Sequence, residues 1–287
     1  MRPPYPIIDV HLHIPPWRTM RSDAVERMSH REDFSDIQKL ADDPAALISF
    51  LDERGIEKVF LINEISPEVT GVDEAANDFA AGLSNRFPDR ILAFAGIDPR
   101  RLDGLERRLD GLLGDRRMRG IKIHPPHQHL HANAYRDGGG MPGLAVVYEK
   151  CIEFQAPVMV HTGTSIFPRA RNKYGNPLDL DDLITDFPEL KIILAHGGRP
   201  LWMKEALFIL RRSQNVFLDI SSVPPKRLLD YFPWIERLSD RALYGSDWPG
   251  PGVPDPLVNI EDFYSLPIKE EAKRLILREN AVKLFRL

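Results

Sequence analysis

The chain has 287 residues and sets 38 Lys and Arg against 42 Asp and Glu, a formal net charge of −4. This balance supplies no basic stripe for nucleic acid or an anionic membrane, and 43% hydrophobic with 28% charged residues describes a folded globular chain rather than a disordered one. A lone cysteine excludes an intrachain disulfide framework and suits a reducing compartment. No apolar run approaches the roughly 18 residues that span a bilayer. Residues 1–13 lack the apolar core of a secretory signal, so a cytoplasmic protein is expected.

Short apolar runs, each followed by a helical-looking stretch, recur along the chain. The first run is 7–11, followed by a long connection over 14–43. Runs at 58–62 and 91–97 precede helical segments predicted over 72–86 and 102–113. The run at 120–124 leads into a second long connection, 125–143. Leu144, Val147, Tyr148 and Cys151 then fall on one helical face. Runs at 157–161 and 192–196 come next. Pro200, a residue suited to a first helical turn, introduces an amphipathic segment with Leu207, Ile209, Leu210, Arg211 and Arg212. Runs at 216–220 and 242–245 complete the set, and 268–287 reads as a closing helix. Eight short apolar runs, most of them rich in Val, Ile and Leu, alternate with helices and predict a (β/α)8 TIM barrel as a single domain over 1–287. A doubly wound open sheet is the alternative, but no Gly-rich phosphate fingerprint follows the first run.

Catalytic groups of such barrels sit at the C-terminal ends of the strands. The first run ends Asp9-Val10-His11-Leu12-His13, and a period of two puts both histidines on one side. The fourth ends Lys122-Ile123-His124, the fifth at His161, the sixth at His196, and the eighth at Gly245-Ser246-Asp247. Five of nine histidines therefore lie at predicted strand ends. Imidazoles with a carboxylate make a first shell for a borderline divalent ion, for which zinc, manganese or iron fits. Such an ion lowers the pKa of bound water to about 7, and a further histidine, His196, serves as acid or base. Each residue also has a plainer reading: His-x-His pairs sit on many surfaces, His196 packs, and Asp247 caps a helix. Asp9 is expected either to fix an imidazole tautomer or simply to end a strand.

In combination these phrases are specific. "IIDVHLH", "GIKIHP", "PVMVHTG", "ILAHGGRPLW", "LYGSDWP" and "ENAVKLF" resemble the amidohydrolase superfamily, and within it the amidohydrolase-2 branch, over essentially the whole chain. The resemblance implies a barrel with one divalent metal, zinc first, manganese or iron otherwise. By position it makes His11, His13, His161 and Asp247 the metal ligands, with His196 and Asp247 catalytic. Lys122 is a carboxylated bridge between two metals in other branches, so a binuclear site stays open, although a mononuclear one is favoured. His124, Lys122 and Arg199 are second-metal or substrate-binding candidates.

The remaining polar residues are weaker signals. His127, His129 and His131 read as a surface loop rather than a dedicated metal site. Thr162 and Thr164 offer hydroxyls, and Arg199 is able to bind a substrate carboxylate bidentately. Trp17 and Trp248 line a pocket or pack. Cys151 reads as core, and no Ser-His-Asp grouping stands out. The first functional reading is a metal-dependent hydrolase of a small carbonyl, amide or lactone substrate. The alternative is a non-oxidative decarboxylase of an aromatic or muconate-type acid, for which Arg18 or Arg21 would aim at the substrate carboxylate. A third is a non-catalytic barrel serving as a binding module. Partners are expected to be a small molecule, with a carboxylic acid among the candidates, and a second copy of the chain.

Overall fold

The computed structural model describes residues 2–136, 138, 140–250 and 252–287. Eight parallel strands pair in chain order: β1 (Ile7–Leu12), β2 (Ile56–Ile62), β3 (Ile91–Gly96), β4 (Ile121–Ile123), β5 (Val158–His161), β6 (Ile192–Ala195), β7 (Val216–Asp219) and β8 (Ala242–Leu243). All eight fall on the predicted runs. Backbone bonds from Val10 N–H to Tyr244 O (2.9 Å), Asp247 N–H to His11 O (2.7 Å) and His13 N–H to Trp248 O (2.8 Å) bring the end of the sheet back to β1. The open-sheet alternative is thereby excluded.

Local chemistry explains the connections. The helix Pro44–Glu53 starts where Asp43 accepts from the backbone N–H groups of Ala45 and Ala46, with Pro44 at the first helical position. The helix Gly143–Glu153 buries Leu144, Val147, Tyr148 and Cys151 against the barrel, as their spacing predicts. Burial pushes the Cys151 thiol well up, consistent with a core residue. The long connection after β1 is partly helical (Ser22–Ser29 and Phe34–Asp42) and that after β4 holds a single helical turn, Pro125–Gln128. Pro200 does not occupy a first turn: the helix it precedes begins at Met203. No described helix is long and apolar enough to cross a membrane.

The barrel floor is aromatic. Phe285, from the last helix Asn280–Phe285, sits 4.3 Å from Phe60 and 5.9 Å from Phe94 between ring centroids. Ile8, Val10, Leu92, Met159, Ile193 and Leu243 belong to the same buried cluster. Above them the interior turns polar, with Lys122, His161 and Asp219 buried at strand ends. The β1–β2 register is irregular between Asp9 and Leu12. A strict alternation that keeps Ile8 and Val10 inside would turn His11 and His13 away. The irregularity lets both reach the same interior cavity.

Candidate metal centre and its cavity

At the C-terminal mouth of the barrel His11 Nε2 lies 3.2 Å from His13 Nε2 and 3.4 Å from Asp247 Oδ1, and His13 Nε2 lies 3.1 Å from the same oxygen. The hydrogen bonds behind these atoms settle their tautomers. His13 Nδ1 meets the carbonyl of Ile62 at 3.1 Å, and a carbonyl only accepts, so Nδ1 carries the proton. His11 Nδ1 meets Asp219 Oδ2 at 2.5 Å, again a donor to an acceptor. Two Nε2 lone pairs therefore face each other beside a carboxylate, an arrangement that repels unless a cation lies between them. Burial lowers the basicity of His13, but Asp247 outweighs it and raises the pKa, so the cluster draws positive charge. Burial works against ionising Asp247 as well, yet His196, His13 and His11 hold its carboxyl well below the usual range.

His196 joins this group. Its metal-ligating atoms and those of His11 and Asp247 lie within 4.8 Å of one another. His196 Nδ1 donates to the carbonyl of Ser221 at 3.0 Å, which leaves its Nε2 lone pair free. Burial pushes the His196 pKa down to about 3, so the ring is neutral. His161 is buried with an Nε2 that has no hydrogen-bond partner among the described residues. Its ring lies between His124, stacked at 3.8 Å, and His196, edge-on at 4.7 Å. An orphaned imidazole nitrogen, two opposed lone pairs and a carboxylate make a donor set that fits a divalent ion of the zinc, manganese or iron type.

The backbone is bent to present these groups. His196 (φ 67°) and Asp247 (φ 63°) both occupy the left-handed region, which costs a non-glycine residue about 1–2 kcal/mol. Gly245 is required by space: a Cβ there would fall 2.5 Å from His11 Cβ and 2.6 Å from Asp219 Oδ1. Only glycine lets the chain just after β8 pass the His11–Asp219 pair.

The residues that fix His11 were not among the sequence candidates. Asp219 ends β7, and Ser221 Oγ donates to its Oδ2 at 2.8 Å, while the Ser221 N–H donates to Oδ1 at 2.9 Å. An acid closing an otherwise apolar run was the available signal. Asp9, expected either to fix an imidazole tautomer or simply to end a strand, makes no hydrogen bond to an imidazole. Its Oδ1 accepts from the backbone N–H groups of His11 and Ser246, both at 3.0 Å, and so ties β1 to the residues after β8.

Lys122 points into the same cavity. It is 1% exposed and its Nζ has no partner among the described residues; burial lowers its pKa. Arg199 is the other cation lining the space. Its Nη2 donates to Ser222 Oγ at 2.5 Å, and its Nε is unpartnered. Arg18 and Arg21 do not reach it: Arg18 is 87% exposed and pairs with Asp42, and Arg21 pairs with Asp23. The cavity measures about 220 Å³, with Trp17, Met20, Met28, Ile62 and Phe167 on its apolar walls. Trp248 packs on Phe50 at 4.6 Å, and Thr162 serves structure, donating to the Ala195 carbonyl.

The histidines after β4 part company. His129 and His131 lie outside the main cavity, on the Arg169 carbonyl and on Asp179. His124 and His127 turn inward and converge on Glu64, a residue that sequence reasoning passed over. Burial alone would push the Glu64 carboxyl up, but His127, His13 and Lys122 hold it at about 2. Glu64, His124 and His127 form a second group whose ligating atoms lie within 4.8 Å of one another.

The Amidohydrolase (Amidohydro_2) family model matches residues 8–287. The chain belongs to the amidohydrolase family. No curated protein sequence matches it. Among solved structures, this amidohydrolase is similar to an uncharacterized TIM-barrel protein from Bordetella bronchiseptica, with 22% identity over 98% of each chain and a TM-score of 0.73. It is also similar to a dihydroxybenzoic acid decarboxylase from Polaromonas sp. JS666, solved with manganese and the inhibitor 2-nitroresorcinol. There the identity is 18% over 99% of this chain and 97% of that one, with a TM-score of 0.69. A 4-oxalomesaconate hydratase from Rhodopseudomonas palustris matches at 19% identity over 98% of this chain and 95% of that one, with a TM-score of 0.60. At these identities the likeness establishes the fold.

Proposed function

We propose that this amidohydrolase is a metal-dependent, non-oxidative decarboxylase of a small aromatic carboxylic acid. The observation that carries the reading is the pair of cavity cations, Lys122 and Arg199, neither of which has a carboxylate partner within ion-pair distance among the described residues. Neither cation is engaged in a direct ion pair, so both are free to contact a substrate carboxylate, Arg199 with the geometry a guanidinium prefers. The aromatic and thioether walls suit a planar ring. The similarity to a decarboxylase of dihydroxybenzoic acid agrees with this reading, which therefore takes precedence over the hydrolase expected from sequence.

His11, His13, His161 and Asp247 are the proposed ligands, with one metal rather than two. A divalent ion there would supply a fixed positive charge for the substrate oxygens. Arg199 and Lys122 orient the carboxylate. His196, with Nδ1–H held by the Ser221 carbonyl, takes a substrate proton at Nε2. It returns that proton to the ring carbon as the carbon–carboxylate bond breaks and CO2 departs. Manganese is a candidate on equal terms with zinc, since the similar decarboxylase was solved with it.

The test is CO2 release from a panel of hydroxybenzoic acids by protein loaded with manganese or zinc, with the ring product identified by mass. In D2O the product is expected to carry one deuterium at the vacated carbon. Turnover of lactones or amides, with no CO2 from any acid, would overturn the reading in favour of hydrolysis. The similarity to a hydratase keeps water activation as the second reading.

A further inference from the structure

The cavity that holds the His11–Asp247 cluster is also lined by three groups that the proposed metal chemistry does not use. His127 Nδ1 lies 2.8 Å from Glu64 Oε1, and His127 Nε2 lies 2.7 Å from Ser165 Oγ. Glu64, His127 and Ser165 all line the cavity.

Proton positions decide between two readings of this cluster. His124 Nδ1 accepts the backbone N–H of His127 at 3.3 Å, so the His124 proton sits on Nε2, which faces Glu64 Oε2 at 3.3 Å. That nitrogen has no lone pair to give a cation, and a second metal held by Glu64, His124 and His127 is disfavoured. The carboxylate instead accepts from both imidazoles. With His127 Nδ1–H committed to Glu64, Nε2 is an acceptor and the Ser165 hydroxyl is its donor. This is the order hydroxyl, imidazole, carboxylate, in which a base primes a nucleophile and an acid fixes the base.

The surroundings hold the array rigid. The His127 ring stacks on His124 at 3.6 Å and takes Phe167 edge-on at 5.3 Å. Asn172 clamps the nucleophile's backbone from both sides, accepting from Ser165 N at 2.8 Å and donating to Ser165 O at 3.2 Å. The Phe167 N–H donates to Ser165 Oγ at 3.2 Å. The N–H of Ile166, the residue after the serine, makes no hydrogen bond to the described residues, and Ile166 also lines the cavity. The N–H that follows a nucleophile is a usual oxyanion donor.

We propose that Glu64, His127 and Ser165 form a nucleophile relay that gives this cavity a second, metal-independent activity, hydrolysis of small carboxylic esters through an acyl-serine. Ser165 Oγ bonds to the ester carbonyl carbon while its proton passes to His127 Nε2. The bond from that carbon to the alkoxy oxygen breaks, and the leaving alcohol takes the proton from His127. Water then attacks the acyl carbon, gives a proton to His127, and releases the acid as the proton returns to Ser165. No oxidant, reductant or other co-reactant is consumed.

The test uses full-length protein stripped of metal with a chelator and treated with an alkyl fluorophosphonate. Intact mass is expected to rise by one phosphonyl group per chain, mapped to the Ser165 peptide, and 4-nitrophenyl acetate is expected to give a burst of nitrophenol. Ser165→Ala should take no label. Glu64→Gln should label at least tenfold more slowly while melting within a few degrees of the wild type. An unlabelled wild-type protein, a label elsewhere, or an unchanged rate in Glu64→Gln would overturn the proposal. The wild-type result decides by itself if a variant fails to fold. Because the metal is absent, these outcomes are independent of whether the loaded protein releases CO2.

Discussion

Asp219→Asn isolates the step by which a carboxylate outside the proposed ligand set would control the proposed metal centre. Asp219 accepts three hydrogen bonds: at Oδ1 from Ser221 N–H (2.9 Å), and at Oδ2 from Ser221 Oγ (2.8 Å) and His11 Nδ1 (2.5 Å). Asparagine has one acceptor oxygen in place of two, so either Ser221 N–H or His11 Nδ1–H must face an amide N–H. Where the amide faces His11, the imidazole moves its proton to Nε2, and that proton points at His13 Nε2, 3.2 Å away, where a cation would sit. Loss of such an orienting partner weakens metal binding about 10- to 100-fold, equivalent to roughly 1.4–2.7 kcal/mol. The assay is competitive titration of zinc or manganese into metal-free protein against a chromophoric chelator, with His11→Ala as the reference for loss of a ligand. Affinity within about threefold of wild type in Asp219→Asn, alongside loss of binding in His11→Ala, would refute the tautomer reasoning.

Other perturbations address different parts of the molecule. Gly245→Ala drives a Cβ to within 2.5 Å of His11 Cβ; overpacking of this kind costs about 1–3 kcal/mol, read by urea unfolding, together with weaker metal binding. Arg199→Ala should raise KM or Ki for benzoate-type anions far more than for neutral phenols, as inhibition titrations would show; equal effects on both would sink its carboxylate role. Phe285→Ala removes the ring that closes the barrel floor against Phe60 and Phe94 and should cost about 3–5 kcal/mol while leaving metal affinity intact. Cys151, fully buried with its thiol held protonated by burial, should stay inert to a disulfide reagent in the native state and react within seconds in denaturant.

The sequence was most legible where neighbours in the chain are also neighbours in space. Apolar runs mark the eight strands because most of their residues are buried on both faces, and strand ends locate His11, His13, His161, His196 and Asp247 because the barrel collects those ends at one mouth. Partnerships across the barrel were not legible. His11 and Asp219 are 208 positions apart, whereas Asp9, two residues from His11, binds only backbone N–H groups. Glu64, His127 and Ser165 meet only because the connections after β2, β4 and β5 fold over the same cavity. Loop geometry also decided against Arg18 and Arg21, which solvent-side acids occupy.

Charge at the mouth gives a reason to favour an acidic substrate over a neutral one. Three carboxylates, Asp219, Asp247 and Glu64, stand within electrostatic reach of Lys122, and Arg199 faces Asp247. With both cations charged, the protein alone carries one negative charge in excess. A divalent ion at the His11–Asp247 cluster would turn that into one positive charge in excess, in a region largely withdrawn from water where each unit matters more than at the surface. A monocarboxylate cancels the surplus, and a lactone or amide does not. In the proposed decarboxylation the phenolate left after loss of CO2 takes a proton from solvent, and the neutral phenol no longer cancels the surplus, so the electrostatic hold on the product weakens. On this reasoning benzoate-type anions should bind the metal-loaded protein at least tenfold more tightly than the metal-free protein, whereas the matching phenols should show little difference. Calorimetric titration of both pairs measures this, and equal affinities with and without metal would remove the electrostatic basis for preferring an acid.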